Sequence, residues 1–300
     1  MSFSPFYPWT MTQDTTRSPA RDPASAEDRR PPGVCVVIVA RNEAANLPRC
    51  IQSVKGWTVE TIVALNDTTD ESGPIAAGLG ARVVSLPWRG FRDTKNAALE
   101  FASQPWVLCL DADEVVSPAL RGEITAFLSR PDLERFDGAR FPRKVWFIDR
   151  WITHGDWYPD FNLRLCRRGR ARWGGDAFVH ERIVCDGPVA TLHGDLHHFS
   201  FPTLASHVAK INPFADLYLR QQMEKGRRFS LGSAVFRPLW RFVRAYFLRL
   251  GFLDGYPGLY IAWATAFSAF VRQSRLYEAE HRVDLPCQTN RDRSAGLPKN

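Results

Sequence analysis

From Val34 onward the chain alternates short apolar runs with amphipathic segments. Residues 35–40, 61–65, 82–86 and 106–110 read as strands, because each is a near-continuous apolar stretch of strand length, the pattern of a strand buried on both faces. Residues 47–54, 75–79, 94–102 and 118–128 show helical spacing, with Asn46 placed to cap the first helix and Pro48 in its first turn. Strands alternating with helices predict a parallel sheet in a doubly wound α/β arrangement. Residues 139–148 read as a further strand. Residues 151–181, rich in Trp, Tyr, Gly and Arg, read as a long loop of the kind that usually carries function.

From about Pro202 the pattern is helical. Phe236, Leu239, Trp240, Val243, Phe247 and Leu250 share one helical face, and Arg237, Arg241 and Arg244 share another. The uncharged run from Tyr256 to Val271 is shorter than the roughly 20 residues a membrane-spanning helix needs. A helical hairpin lying in the membrane interface is therefore expected, with docking of the apolar stripe onto the preceding domain as the alternative. Residues 1–32 are rich in Pro, Ser, Thr, Asp and Arg and are expected to form a disordered tail. The predicted organisation is a tail over 1–32, an α/β domain over 33–201, a membrane-associated helical region over 202–282 and a flexible tail over 283–300.

Composition narrows the setting. The 45% hydrophobic content of 300 residues supports a sizeable core. Six cysteines lack Cys-x-x-Cys spacing, and Cys35 and Cys109 fall inside predicted strands, which favours buried thiols in a reducing cytoplasm. Pro5 and Pro8 interrupt the N-terminal aromatics, so a signal peptide is not expected. The net charge of +7 suits nucleic acid, anionic lipid or a phosphorylated substrate. Basic residues interleave with Phe, Trp and Leu over 227–249, and no nucleic-acid-binding motif accompanies them, so an anionic membrane surface is the expected partner and nucleic acid is not.

The strand at 106–110 stops at Asp111-Ala112-Asp113-Glu114. Carboxylates just beyond the carboxyl end of a parallel strand lie where α/β sheets bind ligands, and hard oxygen donors there suit Mg2+ or Mn2+ with phosphate oxygens completing the shell. Three further segments stand in order: Val39-Ala40-Arg41-Asn42-Glu43, Asn66-Asp67-Thr68-Thr69-Asp70 and Lys95-Asn96. Together the four resemble the family 2 glycosyltransferases over about residues 34–200. Residues 91–114 look most like the branch that builds the bacterial lipopolysaccharide inner core, the β-glucosyltransferases.

That resemblance implies a nucleotide-binding α/β domain of the GT-A type and inverting transfer of a sugar from a nucleoside diphosphate donor. Carried over, Ala40, Arg41 and Glu43 would line the nucleotide pocket, Asn66 and Asp67 would approach the uracil or ribose, and Lys95 and Asn96 would face the base or diphosphate. Asp113 would be the direct metal ligand, and Asp111 would bind the donor ribose or the metal. The family commonly has Asp directly after the second strand, where this chain has Leu65 followed by Asn66-Asp67.

An inverting transferase also needs a base for the acceptor hydroxyl. The resemblance assigns it to Asp160, which precedes Arg164-Leu165, with Asp156 as runner-up. In Val179-His180-Glu181, His180 would bind metal or phosphate and Glu181 would contact the acceptor. His193, His197 and His198 lack the companion ligands of a zinc site. The implied activity is transfer of a hexose, glucose from UDP-glucose above others, to a lipopolysaccharide core or related lipid-linked glycan at the cytoplasmic face of the inner membrane. The rivals are a polyprenyl phosphate acceptor, a noncatalytic nucleotide-sugar or lipid binder, and, last, a nucleic-acid binder.

Overall fold

The computed structural model describes residues 31–175 and 181–282. The expected tails, apart from residues 31 and 32, and His180 lie outside the described residues. In chain order the elements are β1 (Val34–Ala40), α1 (Leu47–Val54), β2 (Glu60–Leu65), α2 (Ser72–Gly78), β3 (Arg82–Ser85), α3 (Phe91–Leu99), β4 (Trp106–Asp111), β5 (Glu114–Val116) and α4 (Pro118–Leu128). There follow β6 (Gly138–Phe147), β7 (Arg150–Trp151), β8 (Asp160–Arg167), β9 (Ala171–Gly174), β10 (Arg182–Cys185), β11 (Val189–Thr191) and β12 (Leu196–Phe201). The helical region comprises α5 (Leu204–Ala209), α6 (Ile211–Glu224), α7 (Leu231–Val243) and α8 (Gly255–His281).

The main sheet runs β3-β2-β1-β4-β8-β6-β12-β5, with β7 and β11 also paired to β6. Its first four strands are parallel, as the alternating pattern predicts. β1 is buried on both faces, and successive side chains enter opposite cores. Val36 and Ile38 pack with Leu47 and Ile51 of α1 and Ile124 of α4, while Cys35 and Val37 pack with Ala98 of α3 and Cys109. In α1 the buried residues Leu47, Cys50, Ile51 and Val54 recur at i, i+3, i+4 and i+7, which is why this segment is a helix against the sheet.

Two local expectations are corrected. Asn46 is itself in helical conformation and does not cap α1; its side chain instead bonds Glu43 and Arg49. The segment read as a loop over 151–181 contains β8, a central strand antiparallel to β4 and β6. Its signature was obscured because Arg164, a charged residue, is buried within it.

The helical region is stitched to the sheet domain by polar contacts around one turn. The buried Asp254 carboxylate accepts from the Thr153 N–H at 3.1 Å, the Thr153 hydroxyl at 2.8 Å and the His154 N–H at 2.8 Å. Gly155, at φ +76°, donates its N–H to the Arg249 carbonyl at 2.9 Å. Further on, α8 crosses the turn before it so closely that a Cβ on Gly258 would lie 1.9 Å from the Gly251 carbonyl oxygen. Asp156, the runner-up base, is held here by Arg244 at 2.7 Å and by Arg241 and Arg249.

Along α7 the aromatic face is exposed, and Arg237 and Arg241 on the other face are exposed as well. Phe236 is 66% exposed and Leu239, Trp240 and Phe247 are also exposed, while Arg237, Arg241 and Arg244 line a cavity shared with α6 and α8. On α8, Tyr256, Trp263, Phe267 and Phe270 form an exposed stripe, with Trp263 60% exposed and packed against Phe242 of α7. No helix among the described residues is long and apolar enough to cross a membrane.

Candidate active site

The strand order reverses between β1 and β4, and open α/β sheets bind ligands at the carboxyl ends of strands at such a point. A cleft of about 350 Å3 opens there. Ala40, Arg41 and Glu43 line it after β1, Asn66 after β2, Trp88 and Phe91 around the start of α3, Lys95 from α3, and Asp111 and Asp113 at the end of β4, with Glu181 and His198 opposite.

Asp111 is bound by two cations. Nζ of Lys95 donates to its Oδ1 at 2.9 Å and Nη2 of Arg164 to its Oδ2 at 2.7 Å. Arg164 also donates to Glu114 at 2.8 Å, and Glu114, 0% exposed, accepts the Asp111 N–H at 2.9 Å. Lys95, 8% exposed, reaches Glu181 at 3.2 Å and lies 4.3 Å from the Trp173 ring centroid. Burial alone would raise the Asp111 carboxyl, but Arg164 and Lys95 outweigh it and hold the group well below the usual carboxylate range. Burial likewise disfavours the Arg164 cation, and Asp111 and Glu114 more than offset that, keeping the guanidinium charged.

Asp113 has a different environment. His198 on β12 places Nε2 3.2 Å from its Oδ2, because β12 pairs with β5 and the Phe199 N–H donates to the Asp113 carbonyl at 3.0 Å. Burial raises the Asp113 carboxyl, and the His198 hydrogen bond and charge lower it by more, so it stays ionised. His198 Nδ1 is buried and has no partner among the described residues. With Asp111 occupied by two cations, the Asp113 carboxylate is the hard oxygen donor at the cleft that fits Mg2+ or Mn2+. Among the described residues no three His, Cys, Asp or Glu side chains are grouped to hold a metal.

The nucleotide side is built from laced loops. Asn42 takes φ +56°, and its Oδ1 accepts the Thr69 N–H at 2.8 Å; the Glu43 N–H donates to Ser72 Oγ at 2.8 Å and the Ala44 N–H to Asp70 at 3.0 Å. These bonds fix the turn after β1 against the turn after β2. Asn66, 3% exposed, donates to the Ala40 carbonyl at 3.3 Å and keeps a buried Oδ1 with no partner among the described residues. Burial raises the Glu43 carboxyl; the Asn46 hydrogen bond opposes this, and Asp113 and Asp70 add to it.

Three expected residues lie outside the cleft lining. Asp67 is exposed at φ +42° beyond Asn66. Both halves of the Asn96 amide bond the Trp173 backbone, at 3.0 and 2.8 Å, which holds the indole under Lys95. Asp160 pairs with Arg143 at 2.8 Å, and Arg143 approaches Glu114 at 3.6 Å, so the carboxylate joins the cleft through a chain of ion pairs. Glu114, Arg164, Trp173 and His198 are the members that sequence reasoning missed. Glu114 was signalled by its place in Asp-Ala-Asp-Glu. His197 and His198, adjacent on a strand, point oppositely, His197 stacking on Trp151 at 4.1 Å, so the histidines do not converge.

An unpaired acceptor on Asn66, cations at Arg41 and Lys95, and a carboxylate free of guanidinium at Asp113 can together recognise a polar heterocycle, offset anionic charge and hold a divalent ion. The model of Glycosyl transferase family 2 matches residues 35–180. The lipopolysaccharide core biosynthesis glycosyltransferase LpsC of Rhizobium meliloti is 32% identical over 247 residues, 80% of this chain and 90% of LpsC. An uncharacterized glycosyltransferase of Rickettsia typhi is 28% identical over 255 residues, 82% of this chain and 87% of its own. Among solved structures, Mycobacterium tuberculosis glucosyl-3-phosphoglycerate synthase in complex with Mn2+, UDP and phosphoglyceric acid is 25% identical, covering 37% of this chain and 43% of that one at a TM-score of 0.31.

Proposed function

The chain belongs to glycosyl transferase family 2, and we propose that it is an inverting, metal-dependent transferase moving a hexose, glucose foremost, from a UDP-sugar to a lipopolysaccharide core or related lipid-linked glycan. The observation that carries the reading is the convergence of Ala40, Arg41, Glu43, Asn66, Lys95, Asp111 and Asp113 on one cleft at the strand reversal. The similarity to LpsC supports the acceptor class.

In this reading Asn66 Oδ1 accepts a base N–H, and Arg41 and Lys95 draw the diphosphate into the cleft. Asp113, with His198 beside it, would hold Mg2+ or Mn2+, which offsets charge developing on the leaving diphosphate. Lys95 is itself anchored between Asp111 and Glu181, so its ammonium is oriented before ligand arrives. Asp160 takes the acceptor hydroxyl proton as that oxygen attacks the anomeric carbon, with Arg143 fixing the carboxylate. The exposed aromatic stripes of α7 and α8 rest on the cytoplasmic face of the inner membrane, where a lipid-linked acceptor is presented. Transfer from UDP-glucose to isolated core acceptor in the presence of Mn2+ tests this, with Asp113→Ala and Asp160→Asn as variants. Loss in both variants supports the reading; full transfer by Asp113→Ala contradicts it.

A further inference from the structure

Two cavities in the helical region, about 460 and 300 Å3, share Arg241, Ala269 and Arg272. Their walls carry Lys210, Arg237, Arg241, Arg244 and Arg272 against a single carboxylate, Asp156, which is already shared among Arg241, Arg244 and Arg249. Arg272 is the sharpest anomaly. Among the described residues no carboxylate pairs with it, its Nε is buried without a hydrogen-bond partner, and its neighbours are Arg241 and the Tyr218 ring at 5.6 Å. Burial and the adjacent Arg241 both disfavour its charge. An unpaired, partly desolvated guanidinium beside a second cation is costly unless an anion completes it.

From this arrangement we infer that the Arg241–Arg272 pocket is an anion site for a phosphate ester, held by the Arg272 fork with Arg241 and Lys210 in support. Arg is suited to this because its planar donors match phosphate oxygens two at a time. The larger cavity exceeds a phosphate alone and is floored by Trp157 and Phe201, a surface for the sugar or glycerol that carries the ester. Phe201 lies three residues beyond His198 on β12, about 10 Å along the strand, so the pocket adjoins the candidate active site without sharing its side chains. On the transferase reading it would hold a phosphate on the acceptor side, but the anion site itself stands independently of that reading.

Thermal unfolding of the full chain in chloride buffer, with and without inorganic phosphate, tests the site. Wild type gains melting temperature with saturable phosphate; Arg272→Met melts at or above wild type without phosphate and loses the phosphate response at least tenfold in midpoint. Arg272→Lys, which keeps charge but not the fork, responds weakly. UDP binding is equal in all three, which separates this site from the cleft. Mannose 6-phosphate and vesicles of phosphatidylglycerol in phosphatidylcholine then identify the source: a response to the first assigns a phosphorylated glycan, and a response to the vesicles alone assigns a lipid headgroup. Absence of any wild-type response, or an Arg272→Met variant that is destabilised yet keeps the full phosphate shift, overturns the assignment.

Discussion

The cleft and the helical region treat charge in opposite ways. At the cleft, the buried cations Lys95 and Arg164 are each paired with carboxylates, Asp111 for both and Glu114 for Arg164, and the apolar strands beneath them face inward. Around the two cavities of the helical region the guanidinium groups outnumber the one lining carboxylate, Asp156, and the aromatic stripes are exposed. The first arrangement matches each buried cation with a carboxylate. The second leaves an apolar face exposed and, at Arg272, a cation with no carboxylate partner among the described residues.

The largest expected effect breaks the cleft side of this comparison. Asp113→Ala should reduce transfer by at least about 10²-fold, since one electrostatic element aimed at developing charge typically contributes 10²–10³-fold. Steady-state transfer rates at saturating Mn2+ measure it. Next, Glu114→Ala should destabilise the fold by about 3–5 kcal/mol in denaturant unfolding, because it leaves Arg164 buried beside an incomplete partner set. A loss below about 1 kcal/mol, the range of an exposed pair, would show that the network is solvated.

In the helical region, Gly258→Ala should cost about 1–3 kcal/mol through the clash with the Gly251 carbonyl while leaving UDP affinity unchanged. Trp263→Ser with Phe236→Ser should leave the melting temperature within a few degrees yet weaken flotation with anionic vesicles several-fold. Unaltered flotation would remove the membrane from the account of that face.

The smallest effect is acid sensitivity. Asp111 and Asp113 have folded carboxyls held below their ordinary value of about 3.9. Their stabilisation is therefore complete above that value and is lost as pH falls through the depressed folded values. Asp113→Asn should show a shallower loss of stability below about pH 4 than wild type in denaturant titrations at stepped pH.

The two regions also differ in what their residues disclose in one dimension. β1, β2 and β4 are plain from their apolar runs, and the Asp111–Asp113 pair sits where a parallel sheet must place it. β8 is hidden because Arg164 breaks its apolar pattern, and that arginine is tolerated only because Asp111 and Glu114, distant in sequence, surround it. His198 and Trp173 reach the site through long-range pairing and carry no local signal. In α7, periodicity correctly separates the aromatic face from the arginine face. How each face is covered depends on α6 and α8, and no spacing within α7 contains that information.

The account rests on the cleft being a donor site completed by a divalent ion at Asp113. Calorimetric titration of UDP into the purified protein, with and without Mn2+ and repeated on Asp113→Ala, tests that most directly. The account predicts Mn2+-dependent binding that Asp113→Ala loses. Binding of equal strength without Mn2+ and in the variant, or no binding by folded protein in any condition, would contradict it.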